Sequence, residues 1–146
     1  MAHFFTLDEA RGCLPGVEKA LRAAVQAKTH YDQSENAFQT LLQRIIMNGG
    51  LLVDRFAVEA MKSTRQSNGE RIKSAIEEIQ EMGCLLKDLD TGLIDFPTLF
   101  RGEEVYLCWR LGESDITHWH SVHEGVAGRR EIDQFFVENH QGSDPN

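Results

Sequence analysis

The first half of the chain contains a repeat of apolar residues that predicts long helices. From Leu7 to Ile45 the apolar side chains recur at alternating steps of three and four, with Lys28 and Glu35 at the two lapses. This spacing places one apolar stripe along a helix and is typical of a coiled coil. The stripe consists of Leu7, Ala10, Leu14, Val17, Leu21, Ala24, Tyr31, Phe38, Leu42 and Ile45.

Thr6 and Glu9 mark the start of this helix, because they have the spacing of a capping box. The hydroxyl of Thr6 is placed to accept from the backbone N–H of Glu9, whose carboxylate can reach back to the N–H of Thr6. Pro15 lies a short way further in, where it lacks an N–H and crowds the preceding turn. We therefore expect a kink or a short first segment there.

A helix break at Asn48-Gly49-Gly50 separates this pattern from a second one, which runs from Leu52 to Met82. Gly83 is well placed as the C-terminal cap of the second helix. Two long helices joined by so short a break should pack antiparallel as a hairpin.

Two polar stretches, residues 29–36 and 62–70, come level with each other when the chain is folded at Gly49. The simpler interpretation is a locally loose or bent helix pair. The alternative is a polar interface for a partner helix, since polar residues in such a seam can specify register and oligomeric state.

After Gly83 the period of the apolar residues changes from helical to strand-like. Turn signals at Asp90-Thr91-Gly92 and Arg101-Gly102-Glu103 separate the runs, and Pro97 is expected to end the second one. The predicted strands are 84–88, 93–96, 105–111 and 116–122, with a four-residue loop at 112–115.

These patterns together predict an α+β protein, in which a long, coiled-coil-like antiparallel helical hairpin is followed by a small antiparallel β-sheet. With 146 residues the chain has the length of one ordinary domain. We assign residues 6–83 to the helical arm and 84–137 to the strand-rich block, and we expect 141–146 to be a frayed tail.

Pairing the last two predicted strands across their loop sets Trp109 opposite His118 and Leu107 opposite His120. Side chains alternate along a strand, so both histidines would lie on the apolar, inward face of the sheet. The opposite face would carry Tyr106, Cys108, Arg110, Thr117, Trp119 and Ser121.

The two histidines could bind a divalent metal ion, because side chains two apart on a strand project the same way. A carboxylate from Asp95 or Asp88 would complete such a set, with His118 and His120 as the first ligands. The simpler interpretation is a pair of hydrogen-bonded structural histidines beside Trp109.

Two arginines also have expected partners in this block. Arg110 and Trp119 would be diagonal neighbours in a cation–π contact. Arg129 would clamp Asp88 or Asp95, or bind an anionic ligand. Cys108 has no obvious base on its predicted face, so no nucleophile stands in a recognisable setting.

The composition argues against several classes of partner. The formal charge is −8 and the 15 basic residues are scattered, which disfavours nucleic acid and anionic membranes. No run approaches the roughly 20 apolar residues of a membrane span. The N-terminus lacks a secretory signal pattern, and the cysteines are far apart without a C-x-x-C, so we expect a reduced, cytoplasmic protein.

Several strings of the sequence resemble a bacterial family known as domain of unknown function family 2203. They are FTLDEA at 5–10, KDLDTGLIDFP within 83–97, EVYLCWRLGE at 104–113, Trp119-His120, and Gly125 with Gly128-Arg129. The resemblance covers nearly the whole chain but implies no activity or cofactor, and His118 and His123 fall outside its pattern. It points to Asp88, Asp95, Trp109, Arg110, Trp119, His120 and Arg129 as candidate ligand-binding residues.

Two functions of different classes remain open on the sequence. The first is a non-enzymatic interaction module that forms a homodimer, or holds a protein partner, through apolar surface left uncovered on the helical arm. The second is a ligand-binding or metal-binding protein, with hydrolase-like chemistry as an extension, whose site on the sheet combines His120, an aspartate and Arg129. The sequence alone does not decide whether the protein is an enzyme.

Overall fold

The computed structural model describes residues 3–49 and 55–143. Two long helices come first, α1 (Leu7–Met47) and α2 (Arg55–Glu81). Within the described residues they are followed by strands β1 to β6 and a short helix α3 (Gln134–Asn139). The strands are β1 (Leu85–Asp88), β2 (Leu93–Phe100), β3 (Glu103–Arg110), β4 (His118–Ser121), β5 (Arg130–Glu131) and β6 (His140–Gln141). The predicted α+β fold, a helix pair followed by a small antiparallel sheet, is confirmed.

The capping box at the start of α1 forms as predicted. Thr6 Oγ1 accepts from the N–H of Glu9 at 3.1 Å, and Glu9 Oε1 accepts from the N–H of Thr6 at 2.9 Å. The expected short first segment is wrong, because α1 continues through Pro15 without interruption. Pro15 lies on the exposed side with Arg11, so solvent can satisfy the Arg11 carbonyl that the proline leaves without a donor.

Residues 22–75 form one compact unit, in which the second part of α1 runs antiparallel to α2. Arg65 Nη1 donates to Glu35 Oε2 at 2.7 Å, and a Cβ on Gly69 would lie 3.7 Å from the ring of Tyr31. The two polar stretches are therefore level with each other, as predicted. Gly50 and Leu52, which belonged to the predicted break and second helix, lie outside the described residues.

The other compact unit comprises residues 1–21 and 76–146 and contains the sheet. The first turns of α1 and the last turns of α2 thus contribute apolar side chains to the same unit as the strands. Gly83 lies two residues after the end of α2 and has a φ of 92°, as its predicted role as a cap requires. Buried residues of this unit include Phe5, Val17, Leu21, Ile79, Ile94, Phe96, Leu107, Trp109 and Ile116.

The main path of the sheet has the strand order β1-β2-β3-β4-β5, and β6 pairs with β2. Strand β2 continues past Pro97 to Phe100, so the expected strand end is wrong. The Pro97 carbonyl accepts from the N–H of Phe5 at 2.7 Å. Because the N and O of a strand residue point to the same side, the missing N–H of Pro97 faces away from β3 and removes no bond to it.

The predicted register of β3 against β4 is wrong by one residue. Tyr106 lies opposite His120 and Cys108 opposite His118, where Leu107 and Trp109 were expected. The connection is longer than the predicted loop, because Leu111 donates to the carbonyl of Gly92 at 2.9 Å and so stays with the β1–β2 turn. A slip of one residue exchanges the faces of a strand, so the histidines share a face with Cys108.

The C-terminal segment is ordered further than the predicted frayed tail allowed. Gln141 pairs with Leu99 in the sheet, and the N–H of Ser143 donates to the carbonyl of Phe4 at 2.8 Å. His140 Nε2 accepts from the N–H of Leu7 at 2.9 Å, which supplies an acceptor to the start of α1. Residues 144–146 lie outside the described part.

Candidate functional site

Three buried side chains with different donor atoms meet in the middle of the sheet. They are Asp95 on β2, Cys108 on β3 and His120 on β4. One carboxylate oxygen, the thiol sulfur and one imidazole nitrogen all lie within 4.8 Å of one another. Buried polar groups of this kind are costly without partners, so their convergence needs a physical explanation.

Strand register brings these side chains together. Asp95 is directly opposite Cys108 across the β2–β3 pair, and His120 is opposite Tyr106, two residues along from Cys108 on the same face. Apolar neighbours such as Ile94 and Leu107 alternate to the other face and are buried there. The register therefore gathers three buried polar side chains on one face of the sheet.

The hydrogen bonds of His120 determine where its protons lie. His120 Nδ1 is 2.8 Å from the carbonyl oxygen of Ser121. A carbonyl can only accept, so Nδ1 must carry a hydrogen and donate it. His120 Nε2 lies 3.0 Å from Asp95 Oδ1, and these two atoms therefore share one proton.

Burial shifts the acidities of the other two groups. Desolvation raises the pKa of Asp95 above its usual value, although the neighbouring His120 acts in the opposite direction. Desolvation and the nearby Asp95 carboxylate raise the pKa of the Cys108 thiol to about 11, against a lowering by Arg129. At neutral pH the thiol therefore keeps its proton in the absence of a metal ion.

A cavity of about 140 Å³ opens onto the Asp95 and His120 side of the cluster. Its walls include Lys87, Tyr106, Val122, Gly125 and Val126. The Tyr106 ring packs edge-on against the His120 ring with centroids 5.5 Å apart, and Lys87 Nζ lies 4.8 Å from the Tyr106 ring centroid. The cavity has room for water or a small ligand beside the cluster, and Lys87 adds positive charge at its wall.

The donor set matches what a divalent transition metal prefers. Imidazole nitrogen, thiolate sulfur and carboxylate oxygen all bind zinc-like ions, and catalytic sites commonly use three protein ligands with one open position. A metal-binding histidine usually donates its other N–H to a carbonyl or carboxylate, as His120 does to Ser121. The residues present thus fit a divalent transition-metal ion, which Asp95, Cys108 and His120 could hold beside the cavity.

Of the predicted site residues, the structure brings together Asp95 and His120. Asp88 is instead the last residue of β1, where its carboxylate accepts from the N–H of Asp90 and the hydroxyl of Thr91. His118 is half-buried and its Nδ1 bonds to the Thr117 hydroxyl, outside the cluster. The proposed pair of histidine ligands therefore does not form in this structure.

The tryptophans and arginines have structural partners that differ from those expected. Trp109 is buried on the other face, and its Nε1 donates to the Glu113 carbonyl at 3.0 Å. Trp119 has a cation–π contact with Arg130 at 5.0 Å, whereas the expected contact with Arg110 is wrong. Trp119 is opposite Leu107, so Arg110 lies on the other face of the sheet. The aromatic stack of Trp119 includes Phe136, whose ring centroid lies 4.9 Å away.

The expected clamp between Arg129 and an aspartate is also wrong. Arg129 Nη2 donates to both oxygens of Glu113, at 2.8 and 3.1 Å. It also reaches the Cys108 carbonyl at 3.4 Å, which places its guanidinium beside the cluster. The carboxylate partner was missed because Glu113 belongs to the loop whose length was underestimated.

Cys108 is the site residue that sequence reasoning missed. The predicted register placed Cys108 on the face opposite the histidines. The prediction that no base shares a face with Cys108 is wrong. With the observed register, Asp95 and His120 would both have stood out as its neighbours. A comparison of both registers for the 105–111 and 116–122 runs could have found it.

Comparison with known proteins places the chain in one family. The family model described as "Uncharacterized conserved protein (DUF2203)" matches residues 3–132. Neither the curated proteins nor the solved structures give a significant match. Among the described residues, no helix is both long and apolar enough to cross a bilayer.

Proposed function

Because the chain belongs to the uncharacterized family DUF2203, from which no activity carries over, we propose its function from its own site. The protein binds a divalent transition-metal ion through Asp95, Cys108 and His120. The observation that carries this proposal is the convergence of three different, buried donor atoms within 4.8 Å of one another. The hydrogen bond from His120 Nδ1 to the Ser121 carbonyl supports the proposal, since it orients the ring so that Nε2 points toward the other two donors.

The three donors favour a zinc-like ion over calcium or magnesium. Hard cations prefer six or more oxygen ligands, and this cluster offers one carboxylate. Thiolate and imidazole ligands favour zinc, cobalt or nickel, with a water molecule at the open position toward the cavity. A metal-bound water there would be the starting point for hydrolytic chemistry, which is the enzymatic extension of this proposal.

Metal analysis of tag-free protein purified without chelator tests the proposal. We expect about one zinc-like ion per chain, and loss of at least nine-tenths of it in Cys108→Ser and His120→Ala, because each removes one of three protein ligands. His118→Ala is the matched control on the same strand and should keep the metal. Wild-type protein that stays metal-free after incubation with zinc, while its fold is intact, would contradict metal binding.

Self-association through the helical arm is a second candidate function, supported by a different observation. Large apolar side chains are exposed near the ends of the two helices that face the connection, with Phe56 90% exposed and Ile46 and Met47 also largely exposed. Three large apolar side chains exposed to this degree can form part of an interaction site. We propose that a second copy of the chain covers these residues in a homodimer.

Light scattering in solution tests the dimer. We expect the mass of two chains for the wild type and of one chain for the triple variant Ile46→Ser, Met47→Ser, Phe56→Ser. Val122→Ser and Val137→Ser, which change exposed apolar residues in the other compact unit, should leave the mass unchanged. A wild-type mass of one chain at working concentration would exclude this function.

We also propose a reducing, cytoplasmic location. Cys13, Cys84 and Cys108 are free thiols, and a metal-binding thiolate needs a compartment that keeps it reduced. Cell fractionation that recovers the protein outside the cytoplasm would contradict this assignment.

A further inference from the structure

A polar groove, called the arm groove below, lies between α1 and α2 in the compact unit of residues 22–75. It shares no residue with the cluster of Asp95, Cys108 and His120. Its volume is about 570 Å³, which is within the range of small-molecule sites. Small side chains create the space: Ser34 faces it from α1, and Ser63 and Ser67 face it from α2. Larger residues at these positions would fill the gap, as Tyr31 does where it packs against Gly69.

The charges of this groove differ from those of the protein as a whole. Although the chain has a net charge of −8, none of the described residues that line the groove is a carboxylate, and the ionisable ones are His30 and Arg71. The carboxylates of Asp32 and Glu35 on the same stretch of α1 are engaged by Lys28 and Arg65. Arg71 is therefore the permanent charge among the described residues that line the groove.

Arg71 and Asn68 are placed to bind something other than the protein itself. Within the described residues Arg71 has no ion pair, and its side chain is exposed along the groove. Asn68 also lines the groove, is only 5% exposed, and has no side-chain hydrogen bond to the described residues. Among the described residues, only Arg129 Nε is a buried side-chain polar atom without a partner, so the Asn68 amide is open to the groove and can bond there to water or to a polar ligand.

We propose that the arm groove binds a small phosphate monoester. The planar fork of Arg71 suits two phosphate oxygens, and His30 is a second donor on the opposite wall. The serine hydroxyls and the Asn68 amide can both donate and accept, so they suit the hydroxyl groups of a sugar or polyol attached to the phosphate. This site is independent of the metal cluster and of the proposed dimer.

Titration of ¹⁵N-labelled full-length protein with glycerol 3-phosphate, followed by amide chemical shifts, tests this site. We expect saturable shifts concentrated in residues 30–34 and 63–71, and none with glycerol at the same concentrations. Arg71→Gln should bind at least tenfold more weakly because it removes the charged fork. Arg44→Gln, an exposed arginine elsewhere on α1, should bind as the wild type does.

Three results would overturn the proposal. They are the absence of saturable shifts in the two ranges, equal affinity of Arg71→Gln and wild type, and equal weakening by Arg44→Gln. The last would indicate general attraction of an anion to the protein surface. The same spectra report whether each variant is folded, so a loss of binding through unfolding is recognised directly.

Discussion

The hydrogen bond from His120 Nδ1 to the Ser121 carbonyl determines how the rest of the cluster can behave. It fixes one ring proton and leaves Nε2 to share a second proton with Asp95 at 3.0 Å. A metal ion would take the place of that shared proton and of the proton on the Cys108 thiol. Metal binding at this cluster would therefore be coupled to proton release from its residues.

This coupling predicts a steep dependence of metal affinity on pH. Two protons leave per bound ion while the metal-free protein still holds both, so in that pH range the association constant for zinc should rise roughly 100-fold per pH unit. At higher pH, where the shared proton has already left, only the thiol proton is displaced and the rise should be about tenfold per pH unit. Competition titrations with a chromogenic chelator at several pH values would measure it. In Cys108→Ala, the slope of the logarithm of the association constant against pH should be about half that of the wild type. An affinity of the wild type that does not change with pH would contradict displacement of protons.

In the metal-free protein, the buried carboxyl of Asp95 should make the free energy of unfolding depend on pH. Because the pKa of Asp95 is raised in the folded state, the native state binds more protons than the unfolded state above the ordinary carboxyl value of roughly 4. The contribution of Asp95 to the free energy of unfolding is therefore complete at low pH and is lost as the pH rises through the raised pKa.

Urea denaturation in the presence of chelator, at a series of pH values, checks this sign. The stability of wild type relative to Asp95→Asn should fall as the pH rises from about 4 toward neutrality. Asp88→Asn is the control, because Asp88 is an exposed residue at the end of β1. A relative stability that instead increases with pH would show that Asp95 is ionised and stabilising in the folded protein.

At the scale of elements, the turns decide which side chains meet. Gly92 closes the β1–β2 turn with φ of 70°, and a Cβ there would lie 2.5 Å from the Cβ of Leu111. Its carbonyl also accepts from the N–H of Leu111, which ends the β3 pairing and begins the long connection to β4. The turn thus contributes to the register that places His120 near Cys108.

Gly92→Ala should therefore destabilise the protein by about 1–3 kcal/mol, through the left-handed backbone and the contact with Leu111. Gly12→Ala is a matched control in α1, where no atom lies within 4 Å of the added Cβ. It should stabilise the protein by roughly 0.5–1 kcal/mol, because alanine is the better helix former. Denaturant midpoints measure both changes, and equal effects of the two substitutions would contradict this role of Gly92.

Local patterns explain which elements could be predicted from the sequence. The capping box at Thr6 and Glu9 and the glycine cap at Gly83 act over a single turn of chain, and both form as predicted. The β3–β4 register depends on bonds between distant residues, such as Leu111 with Gly92, and its prediction failed by one residue. Because of that one error, Cys108 was predicted on the face opposite His118 and His120, and the two histidines were predicted on the wrong face of the sheet.

At the scale of the whole molecule, a bound metal ion should raise the free energy of unfolding. A ligand that binds only the native state stabilises it by about 2.7 kcal/mol when its free concentration is 100 times Kd. Zinc should therefore raise the Tm of the wild type, while Cys108→Ser should show little change at the same concentration. Differential scanning fluorimetry with and without zinc measures this, and equal shifts in the two proteins would point to binding elsewhere.

Cobalt substitution tests the metal site most directly, because the absorption spectrum of Co²⁺ reports both the ligands and the geometry. Metal-free wild type titrated with Co²⁺ should develop a thiolate-to-cobalt charge-transfer band in the near ultraviolet and intense visible bands of four-coordinate cobalt, saturating at one ion per chain. Cys108→Ser should lose the charge-transfer band, while His118→Ala should keep both features. A wild-type spectrum without the charge-transfer band, or one unchanged in Cys108→Ser, would contradict the Asp95, Cys108 and His120 site.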